Sequence, residues 1–325
     1  MNKHLLNTIS GVLFATLFIY LTFRNKPIGE IGGLLQAARI NWILFGVGLL
    51  IAVFFMRALR WKLLLSNTGE NPGFRDVSYS LLLGFFVNSF TPKLGEIVRC
   101  TTLRKRTDIA VSKSLGTVIS ERIYDLMVLV AGVVLIILFE SDRLNELLSS
   151  SVKNLIRYLT ENLLRLVLFI LIILLATAIT WYLAGKFSLR EKIRSFFRNL
   201  YDTARMTFRI RSYRNFALQT ITIWGLMIVL NYCCLKALPS TDGLSFYFAM
   251  VALFIGSIGW AIPSPGGIGT SHFFVLQLFL LFNLNESAGV AYGLLVNGLI
   301  VLFTIGGGLI AIIIVAIFRF ARKSN

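Results

Sequence analysis

The chain has 325 residues, 56% of them hydrophobic and only 14% charged, and it carries a net charge of +17. Apolar runs this long exceed what a soluble core helix needs, so the composition excludes an ordinary soluble domain. The basic residues cluster beside the apolar runs, where they set topology and meet anionic headgroups. Nucleic acid is therefore not expected as a partner.

In chain order, runs long enough to span a bilayer as helices fall at roughly 5–23, 42–62, 115–139, 163–184, 216–238 and 287–317. The first lacks a small-x-small cleavage pattern after it and reads as a retained span, not a signal peptide. Two further apolar stretches, 77–106 and 244–283, are interrupted. "NSFTPKLGEIVRC" breaks the first with Lys93, Glu96 and Arg99, and "PSPGGIGTSH" breaks the second with Gly266, Gly267, Gly269 and His272. Cys100, Cys233 and Cys234 show no CxxC spacing, so packing is their expected use; no metal site and no cofactor is expected.

Charge orients the chain. The loop at about 185–215 holds nine Lys and Arg against Glu191 and Asp202, which makes it cytoplasmic, whereas the acidic loop at about 140–162 fits the outer side. On that basis both flanks of 77–106 lie inside and both flanks of 244–283 lie outside. Each stretch then leaves and returns on one side. The expected fold is an all-α polytopic membrane protein: a single transmembrane domain over 1–325 with about six full spans and two opposed re-entrant hairpins, a pseudo inverted repeat. The expected setting is the bacterial cytoplasmic (inner) membrane, with both termini cytoplasmic.

A helix broken in hydrocarbon frees backbone groups, which is tolerated only beside protein or a wet cavity, so the two breaks mark a cavity. The amides opening each second half-helix would favour an anion there. Lys93 would add a point charge and Arg99 a bidentate fork. Asn88 precedes the first break. "ERIYDL" places Glu121, Arg122 and Asp125 within the 115–139 helix: Glu121 and Asp125 share a face, Arg122 and Asp125 are spaced to pair, and Arg99 or Lys93 are candidate partners for the cluster. "MRALRW" sets Arg57 and Arg60 one turn apart beside Trp61. It reads first as an interfacial anchor and, more sharply, as a headgroup dock. His272 is a candidate for proton-linked or hydrogen-bonding work, against simple capping.

Four of these pieces, "ALRW", Asn88 with "PKLGEIVR", "ERIYDL" and "PSPGGIG", stand in the order and spacing of one family. The chain resembles the transmembrane flippase region of bacterial lysylphosphatidylglycerol synthases and its stand-alone relatives. The resemblance implies a protein that moves, or helps to move, an anionic or aminoacylated phospholipid or related amphiphile between leaflets. By position it implicates Asn88, Glu96, Arg99, Glu121, Arg122, Asp125 and the glycine break. Two departures bear on the substrate: Lys93 follows Pro92 directly, and His272 stands where many members carry glutamate. No soluble aminoacyl-transferase segment follows the last span, so lysyl transfer is not expected of this chain.

The expected partners are membrane phospholipids, with a homo-oligomer or a lipid-synthesis partner left open. An ion-coupled transporter of a soluble anion would use the same breaks, and a non-transporting role in envelope-lipid synthesis is the further alternative. Enzymatic readings fare worse. His-Glu-x-x-His is absent, and two histidines leave little room for general-base chemistry.

Overall fold

A computed structural model describes residues 16–24, 26–139, 198, 202 and 212–323. The expected span at 163–184, the outer loop and nearly all of the basic loop lie outside these residues, and the first span is described only from residue 16. The described residues are helical, with no strand among them. After a helical segment at 16–23 (α1) come α2 (Ile28–Gln36), α3 (Ile40–Asn67), α4 (Phe74–Phe90), α5 (Gly95–Thr107) and α6 (Val111–Phe139). The C-terminal part contains α7 (Tyr213–Ala237), α8 (Phe246–Ala261), a 3-10 turn at Pro265–Gly267, α9 (Thr270–Leu281) and α10 (Glu286–Lys323).

Among the described residues four helices have the length and apolar composition of a membrane span: α3, α6, α7 and Glu286–Ile317 of α10. They match the expected spans at 42–62, 115–139, 216–238 and 287–317. At 1.5 Å per residue the 28-residue α3 is about 42 Å long, enough to cross the hydrocarbon and reach both headgroup regions. The outward faces are apolar. Met127, Val130, Val134 and Leu138 on α6, and Ile310, Ile313 and Ile317 on α10, are exposed at helical spacing, a surface made for lipid.

Both interrupted stretches fold as helical hairpins. In the first, Arg106 on α5 bonds Asp76 on α4 near the open end, while Gly95 lies against Gly84 near the tip, so the two helices run antiparallel. The approach is close: a Cβ on Gly95 would stand 2.0 Å from the Gly84 carbonyl oxygen. The connection at residues 91–94 contains Lys93 at φ 62, a left-handed conformation that costs a non-glycine residue on the order of 1 kcal/mol. In the second hairpin Phe248 packs its ring edge-on to Phe279 near the open end, and Gly259 meets Ser271 near the tip. Its turn runs through Gly266, Gly267 and Gly269, all at positive φ, which is why three glycines stand within four positions.

The hairpins open toward opposite ends of α3. Arg39, at the start of α3, donates its backbone N–H to Ala237 O at 2.8 Å and its guanidinium to Asp242, beside the open end of the second hairpin. Asn67, at the other end of α3, leads within seven residues into α4 and the first hairpin. Between these ends the tips touch: Lys93 Nζ donates to Trp260 O at 3.3 Å, and Gly266 packs on Ser89. The larger apolar core joins α7 to α10 around Leu230, Phe248, Phe279 and Tyr292, and a smaller one surrounds Trp61, Leu81, Cys100 and Leu103. All three cysteines are free and buried, in keeping with a packing role.

Candidate functional site

The two tips enclose a cavity of about 300 Å3. Its charged wall is Arg57 from α3, Lys93 from the first turn, Glu96 from α5 and Arg122 from α6, with Asn88 beside them. Ser257, Ser264, Gly266 and Asn297 supply a neutral polar wall, and Phe54, Phe85, Trp260 and Phe303 the apolar remainder.

Each tip ties down a backbone amide that its break frees. Gly95 N–H donates to Asn88 Oδ1 at 2.8 Å, tying the start of α5 to the last turns of α4. Asn88 Nδ2 in turn donates to Glu96 Oε2 at 3.4 Å, and Arg122 donates to Glu96 Oε1 at 3.2 Å. In the second tip Gly269 N–H donates to His272 Nδ1 at 3.1 Å, so that nitrogen presents a lone pair and the imidazole proton sits on Nε2. Asn297 Nδ2 donates to Gly266 O and to Ser271 Oγ, both at 3.0 Å. The amide expectation is corrected in part. Gly95 and Gly269 N–H are taken by side chains of their own hairpins, and the cationic side chains on the described wall are Arg57, Lys93 and Arg122.

A second ionic group lies in the protein interior. Arg60 grips Asp125 with two bonds, at 2.8 and 2.9 Å, and reaches Glu121 Oε1 at 3.2 Å. Arg99 donates to Glu121 Oε2 at 3.0 Å, and its guanidinium stacks 4.7 Å from the Trp61 ring centre. Arg60, Arg99 and Glu121 are each at most 2% exposed. Two guanidinium groups face two carboxylates, so the group is neutral in sum and ties together α3, α5 and α6. Its charge requirements are met internally.

The expected site residues thus divide. Asn88, Lys93, Glu96, Arg122, Gly266 and Arg57 line the cavity, whereas Arg60, Arg99, Glu121 and Asp125 form the buried cluster, and Gly267, Gly269 and His272 build the second turn. Arg99 pairs with Glu121, one of the expected alternatives. Arg122 does not take Asp125 but reaches Glu96, because Arg60 occupies Asp125. The interfacial reading of "RALRW" is overturned: Trp61 is fully buried with its Nε1–H on Thr117 Oγ1, and Arg60 has no exposure at all. Missing from the sequence reading were Asn231 and Asn297. Each is an amide inside a long apolar run, and a polar group at such depth is a signal of function or of a buried network. Among the described residues no three of His, Cys, Asp and Glu converge as a metal site needs.

Helical hairpins meeting at a polar cavity, set among long apolar helices, are the architecture of a polytopic membrane protein with a polar interior. Residues 8–308 match the family described as the lysylphosphatidylglycerol synthase TM region, and the chain belongs to that family. It is 25% identical over 322 residues to UPF0104 membrane protein PH1989 of Pyrococcus horikoshii, covering 91% of this chain and 92% of that protein. It is also 25% identical over 218 residues to UPF0104 membrane protein MJ1078 of Methanocaldococcus jannaschii, covering 63% and 84%. Both relatives are archaeal. No solved structure matches the chain.

Proposed function

We propose that this protein translocates, or assists the translocation of, an amphiphile with a charged headgroup between the leaflets of the membrane. The two hairpins are re-entrant, related as an inverted repeat, and enter from opposite faces with both termini cytoplasmic. The headgroup occupies the chamber between the tips while the acyl chains remain in the bilayer. One observation carries this reading: charged and polar side chains from both interrupted stretches line a single cavity deep among spanning helices. The family description names a synthase whose product is a phospholipid, which supports a lipid and not a soluble solute.

The test is headgroup transfer in proteoliposomes, scored by accessibility of a labelled lipid. Glu96→Gln and Lys93→Gln alter the chamber without touching the buried ion cluster, so they are expected to slow transfer at least tenfold in protein of unchanged thermal stability. Transfer at the wild-type rate in both variants would remove the chamber from the mechanism. Accumulation of a loaded soluble anion, with no lipid movement, would favour a solute transporter.

A further inference from the structure

Charge is unevenly placed around the cavity. Among the described residues, every charged side chain on its wall comes from residues 57–122, and from residue 227 onward the polar lining is neutral, with Asn231, Ser257, Ser271 and Asn297. The described wall therefore carries three cationic groups and one carboxylate. That carboxylate, Glu96, already accepts from Arg122 and Asn88, and Lys93 is bonded to the Trp260 carbonyl.

Arg57 stands apart. Among the described residues no hydrogen bond or ion pair engages its guanidinium, which lies 5.9 Å from the Phe85 ring centre. The carboxylates whose field reaches it, Asp125 and Glu121, are held by Arg60 and Arg99. A guanidinium with no direct ion pair to a described residue, set among apolar spans, is costly, and a ligand anion would offset that cost. Its planar fork matches two phosphate oxygens.

We infer that Arg57 anchors the phosphate of the transported amphiphile, and that the rest of the headgroup is an uncharged polyol, as in a phosphoglycerol or phosphosugar, and not an aminoacyl group. This rests on the translocation reading of the cavity. An aminoacylated headgroup would bring its ammonium among three cations, with a single carboxylate that is already shared. A polyol instead meets the neutral wall, where Asn297 Oδ1 has no bond to another described residue and the serine hydroxyls can both donate and accept. At about 300 Å3 the chamber is at the small end of ligand sites, in keeping with a compact headgroup.

The test is calorimetric titration of the full-length protein in detergent with three probes: dihexanoyl phosphatidylglycerol, its lysyl ester and glycerol 3-phosphate. Phosphatidylglycerol is expected to bind at least tenfold more tightly than the other two. Arg57→Gln is expected to weaken it at least tenfold with no loss of thermal stability, because Arg57 has no hydrogen bond or ion pair with another described residue to lose. Arg57→Lys, which keeps the charge but not the fork, is expected to fall between.

A lysyl ester that binds as tightly as its parent, or an Arg57→Gln protein with unchanged affinity, would overturn the assignment. Glycerol 3-phosphate at equal affinity would overturn the amphiphile as its source. The two readings fail separately. Arg57-dependent binding without lipid movement in proteoliposomes upholds the ligand and removes translocation, and movement that Arg57→Gln leaves intact does the reverse.

Discussion

Glu121 holds two guanidinium groups, one on each carboxylate oxygen, with Arg60 on Oε1 and Arg99 on Oε2. Glu121→Gln keeps the shape and removes the charge, leaving two buried arginines to share Asp125 alone. Breaking a buried pair from one side costs about 3–5 kcal/mol, so this variant is expected to lose most of its thermal stability in detergent. Arg122→Gln, by contrast, removes one arm of a half-exposed pair, and its stability cost is expected to stay below about 1 kcal/mol. Melting curves of the two variants side by side would check both; an Arg122→Gln protein less stable than Glu121→Gln would place the structural burden at the cavity and not in the cluster. At this scale the carboxylates were legible and their principal partner was not. Helical spacing alone sets Glu121 and Asp125 on one face, but Arg60 lies 65 positions from Asp125 in the chain, and one sequence holds no record of such a pairing. "RALRW" beside a span has the composition of an interfacial anchor, and only the packing of α6 against α3 turns Arg60 inward.

The hairpins depend on helix contact too close for side chains. At Gly95 an added Cβ would lie 2.0 Å from the Gly84 carbonyl oxygen and 2.6 Å from the Asn88 side chain, so Gly95→Ala must part α4 from α5 and break the Gly95 N–H to Asn88 bond. Overpacking of this kind costs about 1–3 kcal/mol, and the lost bond about 1 kcal/mol more. The variant is expected to be less stable than wild type and slower in headgroup transfer. Gly48→Ala is the control: a Cβ there meets nothing within 4 Å. Equal melting temperatures for the two would mean that the tip is looser than its geometry implies. The breaks themselves were legible, because Pro92, Pro263 and Pro265 and the glycine run end helices by known chemistry. How each tip closes was not. Asn88 serving the first amide of α5, and His272 that of the second turn, depend on side-chain direction at a bend that periodicity does not describe.

For the whole molecule, the proposed topology makes a geometric demand: the two hairpins must open at opposite ends of α3. The first hairpin opens beside the C-terminal end of α3, where Lys113 pairs with Glu70, and the second beside its N-terminal end, where Arg39 pairs with Asp242. Since the 28-residue α3 is about 42 Å long, the proposed topology puts these ends on opposite faces of a bilayer. That arrangement can be tested with single cysteines. Cys100, Cys233 and Cys234 are buried, so the background reaction with a membrane-impermeant maleimide is expected to be low. Arg75→Cys and Lys105→Cys probe the open end of the first hairpin, and Asp242→Cys and Asn285→Cys that of the second. Three of the substitutions are mild, since Arg75 and Lys105 are exposed and the Asp242 pair is a surface one, while Asn285→Cys gives up the Asn285 Oδ1 cap on Ala288 N–H at a cost of about 1 kcal/mol. In intact cells the proposed topology, with the basic flanks of the first hairpin inside, has the second pair label and the first label only after permeabilisation. Labelling of all four from one side would make both hairpins open to the same face, and a chamber so placed could receive a headgroup from one leaflet but deliver it to none.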